Sequence, residues 1–358
     1  MVNHSTGVVI DLLQSNDLDA LIIFDPHNLR YLSGFTGTDG VLLVRQGAKT
    51  FLTDSRYVTQ ARQQLGAIEV REYRAKLEDV VEFLLSSDVT RIGFEAEFLS
   101  FAQVEQLRKY SAGRLEWLPL EKPIRKLRYH KSPDEVSQLA AAAQLAAQAF
   151  RSVLPGIQPG QTEAQVALEL EIALLRAGGE GKAFDFIVAS GIRGALPHGV
   201  ASPKLLERDE LVTIDFGVRL NGYHSDETVT LAMGNISSKL REIFDIVLGA
   251  HDRAIDQLRP GIQLKQLDAV AREFIAAKGY GEYFGHGLGH GVGLEVHEYP
   301  AISPRSEDFV EEGMVLTIEP GIYMPGLGGV RIEDTVYVTA DGCQILTQLP
   351  KDFRNILS

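Results

Sequence analysis

The tightest constraint on this chain lies between residues 211 and 230. Asn221-Gly222 separates two β-prone runs, Leu211-Val212-Thr213-Ile214-Asp215-Phe216-Gly217 and the segment from Tyr223-His224-Ser225-Asp226 onward. Asn-Gly in such a setting is the strongest short-range hairpin signal, because both central residues of a type I′ turn need positive φ. A turn centred on that pair sets residue 215 opposite residue 228 and makes Asp226 the diagonal neighbour of Asp215 on the same face. Diagonal neighbours in an antiparallel pair lie roughly 7–8 Å apart at Cα, within reach of converging side chains. Two aspartates aimed the same way among apolar residues repel, so a positive charge is expected between them. A solvated pair on an exposed face explains one such hairpin equally well.

A second hairpin shifts the balance. Val315-Leu316-Thr317-Ile318-Glu319 and Gly329-Val330-Arg331-Ile332-Glu333 flank a turn at Pro325-Gly326. Centring that turn on Gly326 places Glu319 opposite Glu333, again in apolar strand context. Between the hairpins, residues 286 to 297 hold three of the nine histidines (His286, His290 and His297), with glycine at 285, 287, 289, 291 and 293. That glycine density disfavours a helix and lets backbone approach a site closely. His286 and His290 therefore do not read as an i, i+4 zinc pair on a helix, and spacing alone does not say which histidine faces the carboxylates. Four carboxylates and an imidazole form a hard, oxygen-rich donor set. It suits Mn²⁺, and also Co²⁺ or Zn²⁺. Bridging carboxylates let five such residues hold two ions roughly 3.5–4 Å apart, the arrangement of two-metal hydrolases.

The remainder of the chain frames this constellation. With 358 residues it is long enough for two domains. The first third alternates strand-like and helix-like runs, which predicts an α/β layer structure. Leu21-Ile22-Ile23-Phe24 reads as a strand closed by an Asp25-Pro26 turn, and Val41–Val44 and Thr50–Thr53 as a hairpin around Gln46-Gly47-Ala48-Lys49. Leu77, Val80, Val81 and Leu84 mark a helix face. The pattern breaks near residues 122 to 132, and Ser132-Pro133-Asp134-Glu135 has the form of a capping box opening a long helix. The expected domains are 1–126 and 127–358, the second an α+β unit with further helices near 162–177, 238–258 and 263–278. A net charge of -13 argues against binding nucleic acid. The single cysteine, Cys343, excludes an intrachain disulfide and a cysteine-rich zinc site. No apolar run is long enough to span a membrane, and Met1–Leu13 does not resemble a signal peptide. A cytoplasmic protein is expected.

In their order and surroundings these residues resemble the pita-bread metallopeptidases, the family of methionine aminopeptidase, aminopeptidase P and prolidase, and within it the proline-specific branch. The resemblance rests on Asp215, Asp226, His290, Glu319 and Glu333 in the words Asp215-Phe216-Gly217, Ser225-Asp226-Glu227-Thr228, the run from His290 to Glu298, Ile318-Glu319-Pro320-Gly321-Ile322-Tyr323 and Gly328-Gly329-Val330-Arg331-Ile332-Glu333-Asp334. It covers nearly the whole chain. Phe35-Thr36-Gly37-Thr38 and Thr53-Asp54-Ser55-Arg56-Tyr57 resemble the creatinase/prolidase-like domain that precedes a pita-bread catalytic domain in aminopeptidase P. The resemblance implies hydrolysis of the Xaa-Pro bond at the N-terminus of short peptides by a hydroxide shared between two divalent ions. By that resemblance Asp215 binds one ion, His290 and Glu319 the other, and Asp226 and Glu333 bridge. Glu319 handles the proton, while His198 and His297 bond the substrate and its oxyanion. His286 lines the substrate pocket, and Tyr323 and Arg331 match positions that support the substrate site. A homodimer is implied as well.

Two departures from the family pattern stand out. Val229 occupies a position that is usually Arg, and its loss beside the site is expected to matter little for the metals. Ala301 stands where some prolidases carry an Arg that grips a dipeptide's carboxylate, with Arg305 further on. That tilts the reading from a strict dipeptidase toward an aminopeptidase. An inactive peptide-binding relative and a metal-free amidinohydrolase of creatinase type are the remaining readings, and the intact ligand set speaks against both.

Overall fold

The structure, a computed structural model, describes residues 2–357. Met1 and Ser358, the outer ends of the two expected domains, lie outside the described residues. The chain forms two compact units that divide between Arg128 and Tyr129.

In the first unit six strands run in the order Glu69–Glu72, Ala48–Thr53, Val41–Arg45, Ala20–Ile23, Arg91–Glu95, Glu116–Leu120. Val41–Arg45 pairs antiparallel with Ala48–Thr53 through a tight turn and with Ala20–Ile23 across the helix Pro26–Ser33, while Ala20–Ile23 with Arg91–Glu95 and Arg91–Glu95 with Glu116–Leu120 pair in parallel. Apolar residues fill both faces of the sheet. Val80, Val81, Leu84, Val104 and Leu107 pack on one side, and Val9, Leu12, Leu29, Leu32 and Ala61 on the other. The hairpin turn is tighter than its sequence suggests. Arg45 pairs with Ala48, so Gln46 and Gly47 alone form the loop, with Gly47 at φ 76°. Asp25-Pro26 corrects the sequence reading, since it opens a helix, Pro26–Ser33, rather than closing a turn. The Asp25 carboxylate accepts the His27 N–H at 3.0 Å, and proline occupies the first helical turn, where no N–H is required.

Glu95 is the buried acid of this unit, 2% exposed. Its Oε2 accepts the backbone N–H groups of Phe24 (2.6 Å) and Asp25 (2.9 Å), and its Oε1 accepts Asn28 Nδ2 (2.7 Å). Burial outweighs these three donors and lifts the carboxyl to about 7 from 4.5. A carboxyl raised in the folded state binds its proton more tightly there than in the unfolded chain. Its stabilisation is therefore full below pH 4.5 and is lost as the pH rises through about 7. The loss is on the order of 3 kcal/mol. Trp117, the one tryptophan, is buried in the same unit and reports on it alone. We expect the urea midpoint followed by Trp117 fluorescence to fall between pH 5 and 7.5 in the wild type and to stay level in Glu95→Gln. Equal slopes in the two proteins would refute this.

The second unit holds two helix pairs, each laid over an antiparallel sheet. Pro133–Val153 and Glu163–Arg176 cover the sheet of Ile187–Ser190, Leu211–Phe216 and Glu227–Ala232. Ser238–Gln257 and Leu264–Ala277 cover the five-stranded sheet ordered Glu298–Ile302, Gly289–Gly291, Val315–Ile318, Asp334–Val338, Cys343–Ile345. The capping box is present: Glu135 N donates to Ser132 Oγ at 3.4 Å, and Ser132 N to Glu135 Oε2 at 3.0 Å. The helix it starts buries Leu139, Ala143, Ala146 and Phe150, as their spacing predicts, and leaves Val136 half-buried. The architecture is α+β, an α/β unit followed by helices packed on antiparallel sheets.

Candidate metal centre

The first hairpin adopts the register its turn dictates. Asn221 (φ 50°) and Gly222 (φ 76°) both lie in the left-handed region, Leu220 pairs with Tyr223, and Thr228 pairs with Asp215. Asp226 stands just ahead of the strand Glu227–Ala232, diagonal to Asp215. The second hairpin turns through Pro325-Gly326, where Leu327 N donates to Met324 O at 3.0 Å and Gly326 has φ 78°. Ile318 pairs with Asp334 on one side and Gly321 with Arg331 on the other, so Glu319 and Glu333 face each other at the break between two ladder segments.

His290 enters on the short strand Gly289–Gly291, wedged between Glu298–Ile302 and Val315–Ile318. Only a residue without Cβ fits at 289, since a Cβ there would lie 1.9 Å from Thr317 O. His290 Nδ1 donates to Gly291 O at 3.1 Å, which orients the ring and turns Nε2 toward the carboxylates. Nε2 is 3.3 Å from Glu319 Oε1 and 3.7 Å from Asp226 Oδ2. Ligand atoms of Asp226, His290 and Glu333 lie within 4.8 Å of one another. Thr317 Oγ1 accepts His290 N at 3.0 Å and lies 3.3 Å from Glu319 Oε1, tying these two side chains together.

The electrostatics show what this cluster lacks. Burial, then the charges of Glu333, Asp215 and Glu319, push the Asp226 carboxyl well above its ordinary range. Burial with Glu319 and Asp215 does the same to Glu333, and burial raises Asp215 against the pull of Arg331. Glu319 is the exception. Burial opposes its ionisation, but the hydrogen bond and charge of His290 outweigh it and keep Glu319 an anion. Asp215 Oδ1 is buried without a hydrogen-bond partner. Among the described residues Arg331 is the one permanent cation paired with these four carboxylates. Buried carboxylates that repel each other, an unpartnered carboxylate oxygen and an imidazole presenting Nε2 fit divalent cations as the missing charge.

The other candidate residues fall around this cluster. Arg331, 3% exposed, donates from Nη2 to Asp215 Oδ2 (2.6 Å), from Nη1 to Tyr323 Oη (2.9 Å) and Pro197 O (3.1 Å), and from Nε to Thr228 Oγ1 (3.3 Å). Tyr323 Oη in turn donates to His286 Nε2 at 2.8 Å, while His286 Nδ1 donates to Gly287 O at 2.7 Å. Burial pushes the Tyr323 phenol up to about 12, and burial, aided by the charges of Arg331 and His198, holds His286 below its ordinary range. His286 is thus neutral, and its Nε2 accepts a hydrogen bond from a phenol that keeps its proton. His198 and His297 are exposed. His297 packs edge-on to His290, ring centroids 4.4 Å apart. His198 follows Pro197, whose carbonyl Arg331 holds.

Val229 is not beside the carboxylates. It alternates with Thr228 along the strand, so its side chain points to the opposite face, into the core under Pro133–Val153 and Glu163–Arg176. Ala301 does lie at the site's edge, exposed and paired directly with His290. Thr228 was missed as a candidate. Its hydroxyl donates to Glu333 Oε2 at 2.6 Å and links the two hairpins. The register had already put it on the site face, opposite Asp215.

Comparison with known proteins agrees with this geometry. Residues 137–340 match the model of metallopeptidase family M24, and residues 8–130 that of the creatinase/prolidase N-terminal domain. The chain is 38% identical to an Xaa-Pro dipeptidase of Pyrococcus horikoshii, over 98% of this chain and 99% of that one. It superposes on an Xaa-Pro dipeptidase from Bacillus anthracis with a TM-score of 0.95 at 40% identity, covering 99% of both chains. An X-Pro aminopeptidase from Thermotoga maritima gives a TM-score of 0.88 at 38% identity, covering 94% of this chain and 97% of that one. By these matches the chain belongs to metallopeptidase family M24 and carries a creatinase/prolidase N-terminal domain before a pita-bread catalytic domain.

Proposed function

We propose that the protein is a dinuclear metallopeptidase that hydrolyses the Xaa-Pro bond at the N-terminus of short peptides. The convergence of Asp215, Asp226, His290, Glu319 and Glu333 on one buried point is the observation that carries it. In this reading Asp215 would hold one cation, His290 and Glu319 the other, and Asp226 and Glu333 would be shared between the two. The oxygen-rich set favours Mn²⁺, with Co²⁺ or Zn²⁺ as substitutes. When bound, the cations make a water acidic near neutral pH and polarise the scissile carbonyl.

The chain's own residues do the rest. Glu319, at 3.3 Å from His290 Nε2, accepts a proton from water at its carboxylate and returns it to the proline nitrogen, which cannot leave as an amide anion. His198 and His297, exposed at the mouth of the site, donate hydrogen bonds to the substrate and to the oxygen that gains charge. His286, neutral and held by Tyr323, lines the substrate pocket. Arg331 orients Asp215 and Tyr323 and thereby acts on substrate binding. We place the protein in the cytoplasm as a homodimer, which cell fractionation and sedimentation velocity test.

Relatives of similar identity carry both names, dipeptidase and aminopeptidase. The small side chain of Ala301 beside His290 leaves space for a residue after proline and favours the aminopeptidase; the Pyrococcus relatives favour the dipeptidase. Mn²⁺-loaded enzyme should cleave Ala-Pro-Ala at a kcat/KM at least equal to that for Ala-Pro. A large preference for Ala-Pro would assign a dipeptidase. Cleavage of neither, with two metal ions bound per chain, would remove the proposal.

A further inference from the structure

Asp226 and Glu333 come from different sheets. Asp226 precedes Glu227–Ala232 of the three-stranded sheet, and Glu333 precedes Asp334–Val338 of the five-stranded one. No ladder pairs these two strands, so other contacts must set the distance between the carboxylates. On the near side, Glu333 N donates to Thr228 O at 3.2 Å, Thr335 Oγ1 to Asp226 O at 2.7 Å, and Thr228 Oγ1 to Glu333 Oε2.

On the far side is a second, buried set of charges. Side chains alternate along a strand, so Glu227 and Asp334, the residues after the two carboxylates, point away from the site. Lys351, 124 residues beyond Glu227 in the chain, reaches between them. Its Nζ is 2.6 Å from Glu227 Oε1 and 3.3 Å from Asp334 Oδ1. The side chains of Lys351, Glu227 and Asp334 are 8%, 1% and 5% exposed. The tail that carries Lys351 grips the same two acids: Leu349 N donates to Glu227 Oε1 at 2.9 Å, and Thr347 Oγ1 to Asp334 Oδ1 at 2.5 Å. His251 Nε2 lies 3.2 Å from Asp334 Oδ2 and closes the group.

We infer that Lys351 is a positioning residue for the metal centre, clamping Glu227 to Asp334 so that Asp226 and Glu333 stand at the separation two bridged cations require. The inference rests on the reading of Asp226 and Glu333 as ligands. A buried ion pair is seldom a net gain in stability over apolar residues of the same volume, because desolvating the charges costs about as much as pairing them returns. What it supplies here is geometry. A metal site tolerates misplacement of only about 0.5 Å, and its supporting shell sets that tolerance.

The test is calorimetric titration of metal-stripped, folded protein with Mn²⁺, well below the melting temperature, alongside kcat and KM at saturating and limiting Mn²⁺. Lys351→Met should bind Mn²⁺ about 10–100-fold more weakly, the range seen when groups behind metal ligands are removed. At saturating Mn²⁺ its KM should match the wild type. Lys351→Arg, which keeps the positive charge between Glu227 and Asp334, should restore most of the affinity. Should Lys351→Met fail to fold, Glu227→Gln/Lys351→Met removes one stranded charge and carries the same prediction. Wild-type Mn²⁺ affinity in these variants, with only a lower melting temperature, overturns the inference. Asp226→Asn is titrated in parallel. If it loses Mn²⁺ while the Lys351 variants keep it, only the inference falls. If it binds like the wild type, the ligand reading falls and takes the inference with it.

Discussion

Asp226→Asn is expected to abolish turnover and, at the same time, to make the metal-free protein harder to melt. The two effects have one cause. Asp226 lies among Asp215, Glu319 and Glu333, and its carboxyl is driven upward by burial and by their charges. Without cations the native state must either carry that repulsion or take up protons, and each is a cost the unfolded chain does not bear. The amide removes one charge at nearly constant shape. A gain of several degrees in the melting temperature of the metal-free protein is expected, given about 2–4 °C per kcal/mol for a domain of this size. With Mn²⁺ the order reverses. A ligand present at about a thousand times its Kd stabilises the native state by about 4 kcal/mol, and the asparagine variant forgoes most of that. Activity should fall by at least about 10²–10³-fold, the loss that follows removal of one preorganised electrostatic group. Differential scanning calorimetry with and without Mn²⁺ tests the first half and peptide hydrolysis the second. A metal-free variant less stable than the metal-free wild type, or one that Mn²⁺ stabilises as much as the wild type, would contradict this account.

The carboxylate pairs were legible in the sequence because each is set by a turn next to it. Asn221-Gly222 and Pro325-Gly326 fix the two registers, and a register fixes which side chains share a face. The pairings Asp215 with Thr228 and Ile318 with Asp334 are those the turns alone require. The choice of His290 over His286 was not legible from spacing. It came from the family resemblance; that His290 rather than His286 stands beside Asp226 and Glu319 depends on a neighbouring strand and on which ring nitrogen meets a carbonyl. Val229 was misplaced for want of applying the same alternation: a residue next to Thr228 cannot share its face. Lys351 left no local signal. Its partner Glu227 is 124 residues away in the chain, and nothing in the sequence links either of them to its other partner, Asp334. Asp25-Pro26 misled in a smaller way, because aspartate followed by proline serves a helix start as well as a turn, and only the residues after it decide.

Arg331→Met and Arg331→Lys should separate the charge of that residue from its shape. The guanidinium makes four contacts in different directions: Asp215, Tyr323, the Pro197 carbonyl and Thr228. Through Pro197 it holds the segment that carries His198, and through Tyr323 it reaches His286. Methionine keeps much of the volume and loses every donor. It strands Asp215, and breaking a buried pair from one side costs about 3–5 kcal/mol. That cost should be largest in metal-free protein and smaller once Mn²⁺ shares the Asp215 charge. Lysine restores the charge toward Asp215 but is a point donor, and it cannot also span Pro197 and Tyr323 in a plane. The melting temperature of Arg331→Lys should therefore recover most of the way to wild type. Its kcat/KM should remain about 10²-fold down, because the segment bearing His198 and the ring of His286 are no longer held. The measurement that decides is the pair of variants assayed at saturating Mn²⁺ with their metal content known. If lysine restores turnover together with stability, a single positive charge is all the site asks of position 331, and the fork has no role in holding the substrate side.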